Sequence, residues 1–315
     1  MTNALTAAHF TDDAAARKLI EETRWPDGPV CSHCGTINHA YPIAKAGWYR
    51  CAEKACRKDF TVTTGTVMER THIPLHKWVT AFYLLNSSKK GMSAHQLHRT
   101  LGIRYQSAWF MCHRIREAMR SGGLAPPIGG AGKTVEADET YFGKINKDEL
   151  MPRDPAKRQG GKRAGIKRSA YRAVLSLVER GGNVRSFQIA RADQNTVHSI
   201  MRANIAKETR VHTDESPLYK IAPWHFAKHE TIKHALKEYA RGDVTTNTVE
   251  GYFSIFKRGM KGIYQHCGEK HLHRYLAEYD HRYNHRAALG FNDTDRTIAA
   301  IKGAGGKRLT YRQPH

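Results

Sequence analysis

Four of the six cysteines fall in two close pairs, Cys31-x-x-Cys34 and, sixteen intervening residues later, Cys51-x4-Cys56. A chain that spaces thiols this way is restricted to few local folds. Each pair needs a tight turn, Gly35 directly after Cys34 suits one, and four thiolates match a tetrahedral Zn2+ site. Residues 48–50 and 60–63 read as short strands flanking the second pair, so residues 25–70 are expected to form a zinc ribbon. His33 and His39 read as surface residues, because four sulfurs already close the site. The competing reading is four buried or redox-active cysteines. So small a unit has little core, and metal would supply on the order of 10 kcal/mol or more of its folding energy.

The remaining composition bounds the partner. A chain of 315 residues is long enough for two or three domains. Its formal net charge of +22 points to a polyanion, either nucleic acid or an anionic membrane. No run of 18 apolar residues is present, and the N-terminus has no basic start followed by an apolar stretch. The expectation is a cytoplasmic protein that meets nucleic acid and not membrane, with cysteines used for metal before disulfides.

Thr11, Asp12 or Asp13 is placed to cap a first helix within residues 1–24. Between 71 and 122 a helical pattern starts near Pro74, Ser93 is a good N-cap for a short helix, and Gly102 turns the chain into a longer one from Tyr105. Helix, glycine turn, helix is the order of a DNA-binding helix-turn-helix. Ala108, Met111, Cys112, Ile115 and Met119 line its inner face, leaving Arg104, Gln106, His113, Arg114 and Arg116 for DNA. The alternative is a three-helix bundle that packs within the protein. Gly- and Pro-rich composition marks residues 123–133 as a linker.

In residues 134–290, Glu136, Asp138 and Thr140 share one face of a strand. An aspartate in a central strand is unusual, since it has poor strand propensity and is costly to bury. Residues 144–168 carry nine Lys or Arg against three acids and read as a basic loop. A hairpin about Gly181-Gly182-Asn183, an amphipathic helix over 193–207 and a short strand ending in Asp214 follow. Next comes a helix in which Val249, Tyr252, Phe253, Phe256 and Met260 make one apolar stripe. Glu250 and Lys257 lie on the stripe beside it, with Asn247 three residues before Glu250. Acid in a strand, acid at the end of a neighbouring strand, acid on a following helix is the order of an RNase H-like core. Three such carboxylates repel unless divalent cations neutralise them, and oxygen donors suit Mg2+ or Mn2+. Glu136 shares the Asp138 face and is the nearest substitute for it. Glu139 and Glu215 should point elsewhere and pair with basic groups. Residues 291–315 read as a basic tail.

Cys31-x-x-Cys34, Tyr49-Arg50-Cys51, Gly65-Thr66-Val67, Val135-Glu-Ala-Asp-Glu-Thr140, Asp214, and Asn247-Thr-Val-Glu-Gly251 with Phe256-Lys257-Arg258-Gly259 together resemble one family. It is the bacterial insertion-sequence transposases that join a zinc ribbon to a D-D-E RNase H-like domain. The resemblance runs from about Trp25 to Tyr311. It implies a multidomain α+β protein: zinc ribbon, helix-turn-helix, then an RNase H-like α/β domain with a mixed central sheet. It further implies strand cleavage and strand transfer at terminal inverted repeats, on double-stranded DNA as transposon end and target, by a nucleoid-associated homodimer or higher oligomer. Asp138, Asp214 and Glu250 become the metal-binding acids, with Asn247 a rival for the third place. Lys257 would contact the transposon-end DNA or the reactive phosphate, and Arg258 beside it the DNA. Thr245 stands where many relatives have a histidine. Glu278 and Arg282 also match, and read as an i,i+4 ion pair. Two other functions use the same modules: a catalytically inactive DNA-binding regulator, and a stand-alone structure-specific nuclease.

Overall fold

The computed structural model describes residues 4–122, 125–144, 171–220, 222–236, 238 and 240–310; all but the first residue of the expected basic loop over 144–168 lies outside them. The chain divides into two units, residues 1–122 with 285–315, and residues 123–284.

In the first unit, helix α1 (Asp13–Arg24) is capped by the Asp12 carboxylate, which accepts the Ala15 N–H at 2.7 Å. Three antiparallel strands follow in the order β1 (Ala40–Pro42), β2 (Trp48–Cys51), β3 (Asp59–Thr61). Helices α2 (Leu75–Ser87), α3 (Ala94–Leu101) and α4 (Tyr105–Met119) complete the N-terminal part. The Ser93 hydroxyl caps α3, and Gly102 (φ +59°) makes the turn into α4. Phe60 and Val62 from the ribbon, Trp78 and Phe82 from α2, Leu97 from α3 and Ile115 from α4 are buried in one cluster with Cys31 and Cys51. The ribbon and the helices therefore share a core.

The second unit is built on a five-stranded mixed sheet of order β6-β5-β4-β7-β8: β4 (Thr134–Lys144), β5 (Tyr171–Glu179), β6 (Val184–Ile189), β7 (Arg210–Asp214) and β8 (Lys228–Ile232). The pairs β4/β5 and β5/β6 are antiparallel; β4/β7 and β7/β8 are parallel. The long strand with Asp138 is thus central, an arrangement consistent with an RNase H-like domain. Helices are α5 (Gln194–Asn204), α6 (Asn247–Gly259) and α7 (Leu272–Asn284). Val135, Ala137, Leu175 and Leu177 pack against Val197 and Met201 of α5 on one sheet face. Val174 and Val178 pack against Val249, Phe253 and Phe256 of α6 and Leu276 of α7 on the other. All five residues of the α6 apolar stripe are buried. Strand β8 carries no alternating apolar signal and is found only in the structure. No helix among the described residues is long and apolar enough to cross a membrane.

The expected basic tail differs from its reading. Residues Asp293–Lys302 form helix α8, closed by an Asn292–Asp295 capping box, and α8 packs on α1, α2 and α4 of the first unit. Ala300, Ile301 and Ala304 join that unit's core. Gly303 lies so close to α4 that an added Cβ would stand 2.4 Å from the Ala118 carbonyl oxygen. Lys307 donates to the carbonyls of Ala118 (2.9 Å) and Arg120 (2.5 Å), satisfying the open C-terminus of α4. The segment reads as a tail in sequence because Lys302, Lys307, Arg308 and Arg312 crowd its end.

That packing changes the expected DNA face. Arg104 and Gln106 are exposed, but Arg116 is only 2% exposed and His113 is buried. Arg114 is half-buried and donates to the carbonyls of Leu309 and Glu69. A helix covered by α2, α3 and α8 has little free surface left beyond its first turn.

Candidate active site and metal centre

One ligand atom from each of Cys31, Cys34, Cys51 and Cys56 lies within 4.8 Å of the others. The Cys31–Cys56 and Cys34–Cys51 sulfur pairs are 3.8 and 3.6 Å apart. Zinc–sulfur bonds of about 2.3 Å give tetrahedron edges of about 3.8 Å, whereas a disulfide needs about 2.05 Å. The local fold explains the convergence. Cys31 N–H donates to Thr36 O and Gly35 N–H to Cys31 O, with Gly35 at φ +79°. Hydrogen bonds from the Thr36 side chain and backbone hold the Cys34 thiol down to about 6, while burial pushes Cys51 up to about 12. The four sulfurs fit structural Zn2+.

The acids gather at the second sheet. Asp138 lies in mid-β4 and Asp214 ends the parallel neighbour β7. The ladder between them runs from Thr134↔Arg210 to Glu136↔His212 and stops there, so both aspartates stand where the strands part. The Asp138 carboxyl is pushed up to about 8, first by burial and then by Glu139, Asp214 and Glu250, against a hydrogen bond from the Glu139 N–H (2.8 Å). Burial also raises Asp214, which accepts the Ser216 N–H and is eased by His234. Glu250, in the first turn of α6, accepts from the Thr246 hydroxyl at 2.9 Å and lies 3.6 Å from His234 Nε2. These three acids do not converge as tightly as the cysteines, which form the one close ligand cluster among the described residues. The Thr246 and His234 contacts hold Glu250 toward the loop before α6.

Asn247 is the first residue of α6 and is exposed. Lys257 is half-buried, its ammonium 6.0 Å from the Phe253 ring centre, and Arg258 is exposed. Both sit on the helix that carries Glu250. Glu278 and Arg282 form the expected ion pair, fully buried in α7 and joined by the Tyr264 hydroxyl.

Several neighbours are not readable from sequence. Glu136 is fully buried, paired with Arg180 at 2.6 Å, and accepts from the N–H groups of Thr248 and Val249 and the Thr248 hydroxyl. It anchors the start of α6 to β4. Arg180 also donates to Thr245 and to the Asp243 carbonyl, ordering the loop before α6. Glu139 departs from the expected cationic partner: it accepts from the Tyr219 hydroxyl at 2.6 Å, on the sheet face opposite α6. Glu215 accepts the Ala235 N–H. Alternation along β4 predicts the faces correctly; it carries no information on which distant group meets each carboxylate.

A four-cysteine ribbon joined to a mixed sheet with aspartates on two parallel strands and a glutamate on the covering helix is the build of a zinc-ribbon DDE transposase. Residues 129–284 match the ISXO2-like transposase domain, and residues 11–59 match the transposase zinc-ribbon domain of the same IS1595 group. The chain belongs to the IS1595 (ISXO2-like) transposase family. A protein described as an uncharacterized protein in transposable element ISH50, from the archaeon Halobacterium salinarum, is 28% identical over 262 residues, covering 79% of this chain and 83% of its own.

Proposed function

We propose that this chain is a DNA transposase that binds the terminal inverted repeats of an insertion sequence and performs metal-dependent strand cleavage and strand transfer. The observation that carries this reading is the placement of Asp138 and Asp214 where β4 and β7 part, with Glu250 in the first turn of α6. Burial first, and then the charges of Glu139, Asp214 and Glu250, raise the Asp138 carboxyl to about 8, and the donors are hard oxygens, so the set fits Mg2+ or Mn2+. Bound there, divalent ions would supply charge neutralisation at the scissile phosphate and a more acidic attacking water or 3′-hydroxyl. Asp138 and Asp214, on a rigid sheet, orient that position. Glu250 approaches from α6. It is preferred to Asn247 as the third residue because a carboxylate is a stronger oxygen donor to Mg2+ or Mn2+ than an amide. Lys257 and Arg258 lie along the same helix and would hold the transposon-end backbone. In cleavage, water oxygen bonds to phosphorus and the 3′-oxygen departs. In transfer, that 3′-hydroxyl attacks a target phosphodiester and displaces a target 3′-oxygen.

DNA recognition falls to the ribbon and to the α3–α4 turn with Arg104 and Gln106, in a homodimer or higher oligomer that holds both ends. The test is cleavage and joining of a labelled repeat end in Mg2+ or Mn2+. Asp138→Asn, Asp214→Asn and Glu250→Gln should each lose chemistry and keep DNA binding. Hydrolysis without joining makes the protein a nuclease, and binding without chemistry in the unaltered chain makes it a regulator. An active Glu250→Gln beside a dead Asn247→Ala moves the third role to Asn247.

A further inference from the structure

The strands that carry the two aspartates are tied beyond the end of their ladder by one side-chain pair. Backbone pairing of β4 with β7 ends at Glu136↔His212, two residues short of Asp138 and of Asp214. Glu139 directly follows Asp138. Tyr219 comes five residues after Asp214, at the end of the single turn Pro217–Tyr219 that follows β7. The Tyr219 hydroxyl donates to Glu139 Oε2 at 2.6 Å, and its ring is 2% exposed, packed in the core with Val135 and Ala137. A phenol this buried needs an acceptor, and a carboxylate is a strong one. The ring is fixed by packing and the strand by its sheet, so the bond has little freedom to lengthen. The carboxyl side of Glu139 lies opposite the α6 face, so its bond to Tyr219 braces the aspartates from behind.

We propose that Tyr219 and Glu139 form a strap that sets the separation of Asp138 and Asp214, and with it their affinity for divalent cations. Both are positioning residues, and the proposal rests on the reading above of the two aspartates as metal ligands. Removing a partner that orients a ligand ordinarily costs about 10- to 100-fold in metal affinity.

The experiment is Mn2+ binding to the full chain without DNA, followed by electron paramagnetic resonance and by calorimetry. Tyr219→Phe keeps the ring in the core and deletes only the donor; Mn2+ affinity should fall about 10-fold or more, with the melting temperature monitored to confirm folding. Glu139→Gln keeps an acceptor for Tyr219, so it should bind Mn2+ better than Glu139→Ala. Tight Mn2+ binding by a folded Tyr219→Phe overturns the strap. So does equal loss in Glu139→Gln and Glu139→Ala beside an unaffected Tyr219→Phe, which would make Glu139 a ligand itself. Asp138→Asn separates the two readings. If it binds Mn2+ like the unaltered protein, the site assignment fails. If it loses Mn2+ while Tyr219→Phe does not, the strap alone fails.

Discussion

The Glu136 carboxylate accepts the backbone N–H groups of Thr248 (2.8 Å) and Val249 (3.0 Å), so an acid in the central strand closes the N-terminus of the helix that carries Glu250. The first N–H groups of a helix lack internal partners and carry partial positive charge. Arg180 completes the neutralisation. Glu136→Ala removes the acid partner of the half-buried Arg180, which keeps its bonds to Thr245 and the Asp243 carbonyl, and leaves the Thr248 and Val249 N–H groups and the Thr248 hydroxyl without their acceptor; it should cost about 2–4 kcal/mol. Urea unfolding measures it. A loss below about 1 kcal/mol would show that α6 is held by its apolar stripe alone.

Asp138, two residues along on the same face, should behave in the opposite way. Its folded carboxyl is raised to about 8, against about 4 in an unfolded chain. Below pH ~4 both states hold the proton and the group contributes nothing. Between pH ~4 and ~8 the folded state binds more protons, so this residue makes stability fall as pH rises, and the cost levels off above ~8. Asp138→Asn should therefore melt higher than the unaltered protein by a margin that widens from pH 5 to pH 8. Saturating Mg2+ should narrow the margin by stabilising the ionised form. Parallel melting curves across that range would contradict the uncompensated charge.

Zinc removal should reach beyond the ribbon. Cys31 and Cys51 are buried in the same cluster as Trp78, Phe82 and Ile115. A ribbon standing alone would unfold alone; one that shares its core should weaken the helices too. Native mass spectrometry should find one zinc per chain, released by Cys34→Ser. Metal loss should lower the helical signal as well as the melting temperature, since structural zinc contributes on the order of 10 kcal/mol. An unchanged α2–α4 signal after chelation would separate the two cores.

Much of this is legible in the chain, and the division has a physical cause. The α6 stripe is read correctly because helical period survives any tertiary context. The cysteine pairs are legible because metal geometry dictates their spacing. Asp138 stands out because strand interiors reject aspartate. Glu136, by contrast, has the same strand setting as Asp138, and its role depends on Thr248, 112 residues away. The Tyr219–Glu139 bond likewise needs the register of β4 against β7 before it can be seen. The edge strand β8 is missed because four of its five residues are polar and leave no apolar alternation. Helix α8 is missed because its apolar set is short, Ile298 to Ile301, and basic residues follow it closely.

That helix gives a sharp packing test. A Cβ on Gly303 would meet the Ala118 carbonyl, a backbone atom that cannot swing aside. Gly303→Ala should cost about 1–3 kcal/mol, as overpacking does. The loss should appear in the unfolding of the first unit. Lys307→Met, which removes the donors to Ala118 and Arg120, should cost less, since each is a single hydrogen bond to a helix end. A neutral Gly303→Ala would mean that α8 has room to shift off α4.

The final prediction separates a DNA contact from a structural arginine on one helix. Arg104 precedes α4 and is exposed, whereas Arg116 lies twelve residues on and is 2% exposed. If the α3–α4 turn meets DNA, Arg104→Ala should weaken binding and leave stability within about 0.5 kcal/mol. Loss of one phosphate contact should lower the slope of log affinity against log salt by about 0.9. Arg116→Ala should instead destabilise the first unit, because it empties the space of a buried side chain, and its DNA affinity should recover at temperatures where the variant remains folded. Filter binding across a salt series, paired with thermal melts, distinguishes the two. An Arg116→Ala variant that folds normally and loses DNA would place the recognition surface on the buried half of α4, and require α8 to leave it.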